Sequence, residues 1–221
     1  MSFLAYIPAR KNSVRIKNKN ILNLEGKPLI THTLSAAKKS KYINDIYVST
    51  DSNKIKTIVI KEGIYFHDFR IKKLAGSKIS MHELLKNELK ILKKNFQFDY
   101  IVLLQPTSPL RTAKDIDNSC KLFLKNKNKV NCLVSTSSPY KTCDQSKIMY
   151  SDGKYLKFEK KKNFAIRRLR NGPAIIIVKK DEFKKSLISD KILDFKMSKI
   201  KSVDINFYKD FEEVKKILNK R

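Results

Sequence analysis

Apolar and polar positions along the chain follow two alternating periods. Residues 3–7 form a continuous apolar run stopped by Pro8, the pattern of a strand covered on both faces. Leu29, Ile30, Leu34 and Ala37 then recur at helical spacing behind Pro28, which suits the first turn of a helix. Residues 43–48 read as a second strand. Ile55, Ile58 and Val59 mark a short helix with Gly63 as its stop. Leu84, Leu85, Leu89 and Leu92 predict a longer helix, and residues 100–104 a third buried strand. Ile116, Cys120, Phe123 and Leu124 return to the helical period, and residues 130–134 and 174–178 are again strand-like. Near the end, residues 203–205 predict a short strand. Asp210 and Glu213 suggest a capping box opening a last helix that carries Phe211, Val214 and Leu218.

Strand, helix, strand, helix in succession predicts one α/β domain over residues 1–221, with a mostly parallel sheet and right-handed connections. No repeat and no linker divides the chain. One stretch interrupts the alternation. Residues 147–150 and 154–158 flank Ser151-Asp152-Gly153, and Asp152-Gly153 is a type I′ hairpin signal. Roughly 135–170 is therefore an inserted excursion, either a dimerisation element that meets a second subunit or an ordinary surface hairpin.

Charge changes this picture less than its size suggests. Lysine and arginine number 49 against 21 aspartates and glutamates, a formal +28. With 41% apolar and 10% aromatic residues the chain is no disordered polyelectrolyte. No apolar run approaches the ~20 residues that span a membrane. The opening residues lack the basic region and cleavage site of a secretory leader. Most of the cations are lysines that travel with asparagine and isoleucine, as in KNSVRIKNKN and KNKNKVN, scattered rather than gathered on one face. A nucleic-acid-binding module would interleave exposed aromatics with cations. Phe96, Phe98 and Tyr100 near Lys93 and Lys94 fall in or beside a strand instead, so nucleic acid is a disfavoured partner. Cys120, Cys132 and Cys143 form no Cys-x-x-Cys pair, which points to a reducing, cytoplasmic setting and away from zinc or a disulfide framework. His32, His67 and His82 have no metal-ligand spacing.

Candidate chemistry gathers in three loops that each follow a predicted strand. Residues 7–20 carry Arg10, Lys11, Arg15, Lys17 and Lys19 with Ser13 and several amides interleaved. Forked guanidiniums, a point charge and backbone amides suit a polyphosphate, although no Walker A pattern is present. A solvated basic loop is the alternative. Gln105-Pro106-Thr107-Ser108-Pro109-Leu110-Arg111 is stiffened by two prolines, with Gln105 able to donate and accept and Arg111 a fixed cation. Val48-Ser49-Thr50-Asp51 ends the second strand. In an open α/β sheet, ligands bind beyond the carboxyl ends of the strands, so three such loops converge on one crevice.

The order IPAR-x-x-S-x-R-I-x-x-K-N, GKPLI, VSTDS, LLQPTSPLR and NGPAIII resembles the acylneuraminate (CMP-sialic acid) cytidylyltransferases over about residues 7 to 215. The resemblance implies a Rossmann-like nucleotide-diphospho-sugar transferase fold and usually a homodimer. It implies transfer of CMP from CTP to an acidic nine-carbon (nonulosonic) sugar, with release of pyrophosphate and help from Mg²⁺. Position by position, Arg10, Ser13, Arg15, Lys19, Asn20 and Arg70 are implied on the nucleotide side. Gln105 and Arg111 are implied on the sugar side. Asp204 and Asn206 match the metal-binding pair, and Lys19, Arg10 and Asp204 are the implied catalytic set. Four positions depart from the family pattern: Lys11-Asn12 replaces a glycine-rich pair, Val14 a lysine, Gly76-Ser77 an acidic step, and Asn206 the second carboxylate of the metal pair. A weakened or inactive homologue and a basic nucleic-acid-binding module are the competing readings. Nothing in the motifs distinguishes N-acetylneuraminate, legionaminate and pseudaminate.

Overall fold

The computed structural model describes residues 1–139, 144–170, 174–182, 186–188 and 190–220. Cys143 and the Asn171-Gly172-Pro173 part of the NGPAIII string lie outside the described residues.

The first strand, β1 (Phe3–Pro8), shows why an unbroken apolar run is needed there. Its residues alternate between two cores: Phe3, Ala5 and Ile7 face one side of the sheet, Leu4 and Tyr6 the other. Two very short strands, β2 (Asn23–Leu24) and β3 (Lys27–Pro28), pair across Glu25-Gly26, both at positive φ. Pro28 thus precedes α1 (Leu29–Lys38) rather than opening it. Next come β4 (Ile43–Ser49), α2 (Asn53–Lys61), α3 (Met81–Asn95), β5 (Tyr100–Leu103) and α4 (Ala113–Asn126). Gly63, at φ 71°, does stop α2. The chain continues through β6 (Cys132–Ser137), β7 (Ile148–Ser151), β8 (Tyr155–Lys157), β9 (Ile166–Arg170), β10 (Ile176–Lys179), β11 (Ile192–Lys196) and α5 (Tyr208–Leu218).

The α/β layering is as expected. α1, α2 and α4 pack Ile30, Leu34, Ile55, Val59, Ile116 and Phe123 on one face, and α3 packs Leu84, Leu85 and Leu92 on the other. The sheet, ordered β11-β8-β7-β9-β6-β10-β5-β1-β4, is mixed rather than mostly parallel. β4, β1 and β5 run parallel, which puts their three loops at one edge. β10 runs antiparallel between β5 and β6 because the chain returns along β6 from β9. Phe98 and Tyr100 are core residues, as the strand pattern required. Cys120 and Cys132 are buried. Among the described residues no helix is long and apolar enough to cross a membrane.

The inserted hairpin exists, but it stays in this chain's own sheet. β7 pairs with β9, β8 pairs with β11, and β11 returns to β6, so the excursion closes on itself. Met149 and Leu156 are buried in the α3-side core, which is what keeps the hairpin down. Its loop is Gly153-Lys154, one residue beyond the Asp-Gly position. The amide of Asp152 donates to the carbonyl of Tyr155, and the Asp152 carboxylate accepts from the Lys154 and Tyr155 amides.

Two expectations near the carboxyl end are corrected. Residues 203–205 are not a strand: the Ile205 amide donates to the Thr107 carbonyl at 2.8 Å and its side chain is buried with Ile16, Leu24, Leu110 and Phe211. The late strand is β11, whose apolar run is interrupted by Asp194. That carboxylate is buried because Thr136 Oγ1 and Arg168 Nε donate to it. The capping box is also shifted. Asp210 caps the start of α5 itself, accepting from the amides of Asn206 and Phe207 at 2.8 Å each, and Glu213 lies a turn further on.

α4 carries the box that the sequence reading missed. Thr112 Oγ1 accepts from the Asp115 amide at 3.3 Å, and Asp115 Oδ2 accepts from the Thr112 amide at 2.9 Å. Thr112→Ala is expected to lower the unfolding free energy by about 1 kcal/mol in urea melts followed by circular dichroism. A change of only a few tenths would mean that this cap contributes little.

Candidate active site

The parallel strands β1, β4 and β5 each end in one of the three polar loops, and hydrogen bonds tie the first two of these loops together. The Ala9 amide donates to the Ser49 carbonyl at 2.9 Å and the Lys11 amide to Asp51 Oδ1 at 2.6 Å. Asn20, buried, donates from Nδ2 to the Arg10 carbonyl at 3.0 Å. Asn18 adopts the left-handed conformation, φ 56°, that asparagine tolerates better than most residues. It turns the chain into a short 3-10 turn over Lys19–Ile21, while Ile16 anchors the loop in the core beside α5.

The loops after β1 and β5, facing residues 70–84, enclose a cleft of about 460 Å³; the 48–51 loop, expected at the same crevice, does not line it. Arg10, Ser13, Arg15, Lys19, Asn20, Arg70 and Gln105, far apart in sequence, all line it. Gly76 and Ser77, where the acidic step is missing, line it as well. Val14 also lines the cleft and is 75% exposed, so the lysine-to-valine departure removes a cation at its open rim.

Lys19 is half-buried and tied to the carboxyl-terminal segment. Its Nζ donates to the Ile205 carbonyl at 2.6 Å. Burial lowers its ammonium below the ordinary lysine range; Asp204 opposes this, and Arg15 and Arg10 add to it. Arg15 Nη1 donates to Asn206 Oδ1 at 2.6 Å, and its guanidinium lies 5.4 Å from the centre of the Phe207 ring. These two bonds stitch residues 205–207 onto the loop after β1.

Asp204 and Asn206 do not line that cleft. They face an adjoining cavity of about 560 Å³ shared with Asp144, Lys147, Arg170 and Lys199. Asn206 Nδ2 donates to Asp204 Oδ2 at 2.9 Å, and Lys147 approaches the same oxygen at 3.9 Å. Asp204 Oδ1 accepts from no described residue. The Asn206 amide oxygen is taken by Arg15 and its NH2 faces Asp204, so of this pair only Asp204 Oδ1 is free to meet a hard divalent cation. Among the described residues no group of three acidic, histidine or cysteine side chains could hold a metal by itself.

Arg111 requires a correction. It is 2% exposed and lies beneath the cleft, not in it. Nη1 donates to the Ala174 carbonyl at 2.6 Å and to the Gln105 carbonyl at 3.4 Å, and Nη2 donates to Thr33 Oγ1 at 2.8 Å. Those bonds brace the 105–111 turn from below, so Arg111 offers no edge to a sugar.

The sequence reading also overlooked a buried glutamate. Glu88 is 1% exposed on the core face of α3, between Leu85 and Leu92. The available signal was its spacing: an acidic residue standing in the apolar stripe of that helix.

Comparisons with known proteins bear on the family and the fold. The chain is 33% identical over 218 residues to an N-acylneuraminate cytidylyltransferase of Escherichia coli, an alignment covering 95% of this chain and 50% of that protein. It is 37% identical over 123 residues to a CMP-N,N'-diacetyllegionaminic acid synthase of Legionella pneumophila, covering 55% of this chain and 53% of the relative. The chain thus spans about half the length of these curated relatives. Among solved structures, a CMP:2-keto-3-deoxy-manno-octonic acid synthetase complexed with CTP superposes with a TM-score of 0.75 over 100% of this chain and 99% of that one, at 15% identity. That likeness establishes the fold. The cytidylyltransferase family matches residues 4–220, nearly the whole length, and the chain belongs to that family.

Proposed function

We propose that this protein transfers CMP from CTP to the anomeric hydroxyl of an acidic nine-carbon sugar and releases pyrophosphate. One observation carries the reading: Arg10, Ser13, Arg15, Lys19, Asn20, Arg70 and Gln105 share a single cleft at the strand ends. The sugar hydroxyl oxygen attacks the α-phosphorus of CTP, the bond to the β-phosphate oxygen breaks, and pyrophosphate leaves with that electron pair. Among the described residues the cleft lining holds no carboxylate and no histidine, so this reading assigns no protein general base and leaves the hydroxyl proton to solvent. Catalysis then rests on alignment and on charge stabilisation. Arg10 and Lys19 face the triphosphate, Arg70 holds the nucleotide side, and Gln105 contacts the sugar. Asp204 would hold Mg²⁺ through Oδ1, and Asn206 would join it only on release of its oxygen from Arg15. When bound, that ion neutralises phosphate charge.

The departure at Val14 is offset in part by Arg15, which stays at the cleft although tied to Asn206. Exposed Phe158 and Ile166 on the excursion support a homodimer formed through that surface. The sparse cysteines, with no Cys-x-x-Cys pair, support a reducing, cytoplasmic setting for this reaction.

The test is pyrophosphate release by the full chain with CTP, Mg²⁺ and a panel of N-acetylneuraminate, N,N'-diacetyllegionaminate and pseudaminate. Release with one or more of them is expected. No release with any sugar would overturn the proposal.

A further inference from the structure

Below the floor of the cleft a row of polar side chains crosses the core. Tyr6 Oη donates to Glu88 Oε2 at 2.5 Å, and Ser49 Oγ donates to Glu88 Oε1 at 2.8 Å. Arg70 Nε donates to Ser49 Oγ at 2.9 Å, and its Nη2 donates to the Ser49 carbonyl at 2.8 Å. The Arg70 amide donates to the Thr50 carbonyl at 2.7 Å, so the backbone is tied at the same place. Tyr6, Ser49, Glu88 and Arg70 are all buried.

The order of protons in this row is dictated by its acidic member. An ionised carboxylate only accepts hydrogen bonds. Glu88 therefore takes the single hydroxyl proton of Ser49, which turns the oxygen lone pairs of Ser49 toward the Nε–H of Arg70. On balance burial holds the Glu88 carboxyl above its ordinary range, with the Tyr6 and Ser49 hydroxyls and the Arg70 charge opposing. With Nε and Nη2 spent on Ser49, Nη1 of Arg70 donates to no described residue, and Arg70 lines the cleft. Glu88 does not touch the cleft.

We propose that Glu88 is a positioning residue: acting through Ser49, it fixes the guanidinium of Arg70 with one edge presented to an anionic or carbonyl group of the bound nucleotide. This rests on the reading of the cleft as a CTP site. An arginine held on two sides by buried partners loses less rotamer freedom on binding than a free surface arginine, which is why the row bears on affinity.

Titration calorimetry of the full chain with CTP and Mg²⁺, supported by steady-state kinetics, tests the proposal. Arg70→Ala, Ser49→Ala and Glu88→Gln are each expected to weaken CTP binding about tenfold. They should raise KM for CTP while kcat at saturation changes far less. Adding Glu88→Gln to Arg70→Ala should cause no further loss, because both remove the same interaction. Leu92→Val, on the same helix and in the same core, should lower Tm without changing CTP affinity, so a merely structural role is separable. Ser49→Ala keeps the proposal testable if Glu88→Gln does not fold. If Arg70→Ala weakens binding but Ser49→Ala and Glu88→Gln do not, or if the double variant is additive, the positioning role is wrong. If Arg70→Ala itself binds CTP like wild type, the nucleotide reading of the cleft fails instead.

Discussion

Lys19→Ala is expected to lower turnover by about a hundredfold or more while changing CTP affinity by less than about fivefold. The split follows from the neighbourhood of the side chain. Arg10, Arg15 and Arg70 share the cleft, so the triphosphate keeps several cationic partners when one is removed. Lys19 differs from these guanidiniums in being a compact point charge, half-buried, with Nζ held 2.6 Å from the Ile205 carbonyl. A fixed point charge in such a site contributes most where charge develops during bond breaking, since it needs no reorganisation at that moment. Steady-state kinetics with calorimetry of CTP binding separates the two effects; turnover near wild type would remove Lys19 from this role. A pH dependence follows as well. The ammonium form is the active one, and burial lowers its pKa, so it is lost as pH rises sooner than an ordinary lysine would be. The rate should fall on the alkaline side below the usual lysine range, and Lys19→Arg should move that fall to higher pH.

Arg111→Ala is expected to destabilise the fold by about 3 kcal/mol, the largest stability effect of any single change considered. Burial pushes this guanidinium down to about 9, with Asp115 opposing, so it is still charged at neutral pH. Its hydrogen bonds to Ala174, Gln105 and Thr33 offset the cost of desolvating that charge, and Nε has no described partner. Truncation leaves a cavity and strands buried acceptors, both of which are costly. Arg111→Met fills the volume without a charge and should recover part of the loss. Urea denaturation measures both variants, and a loss below about 1 kcal/mol for Arg111→Ala would show that the turn is braced by other contacts.

Most of the helices and the buried strands were legible because their signals are local. Leu84, Leu85, Leu89 and Leu92 can satisfy a helix only, and an unbroken run such as residues 3–7 must be covered on two faces. The strand β11 and the shift of the α5 cap were not legible. Asp194 breaks the apolar run of β11, and it is tolerated only because Thr136 and Arg168 approach it from elsewhere in the sheet.

The site divides the same way. By itself, the sequence determined that the loops after β1 and β5 carry the chemistry, since motif residues directly after neighbouring parallel strands gather at one edge of the sheet, whereas the 48–51 loop stays out of the cleft lining. It could not say which way each cation in those loops points. Arg70 and Arg111 look alike as letters, both basic residues in polar loops. Arg70 is held by Ser49 with one edge left to the cleft, whereas Arg111 turns inward to Ala174 and Thr33. Only tertiary packing decided between them, because the partners that capture each guanidinium come from other strands and helices. The same holds for Glu88, whose acceptors are filled by β1 and β4 from across the core.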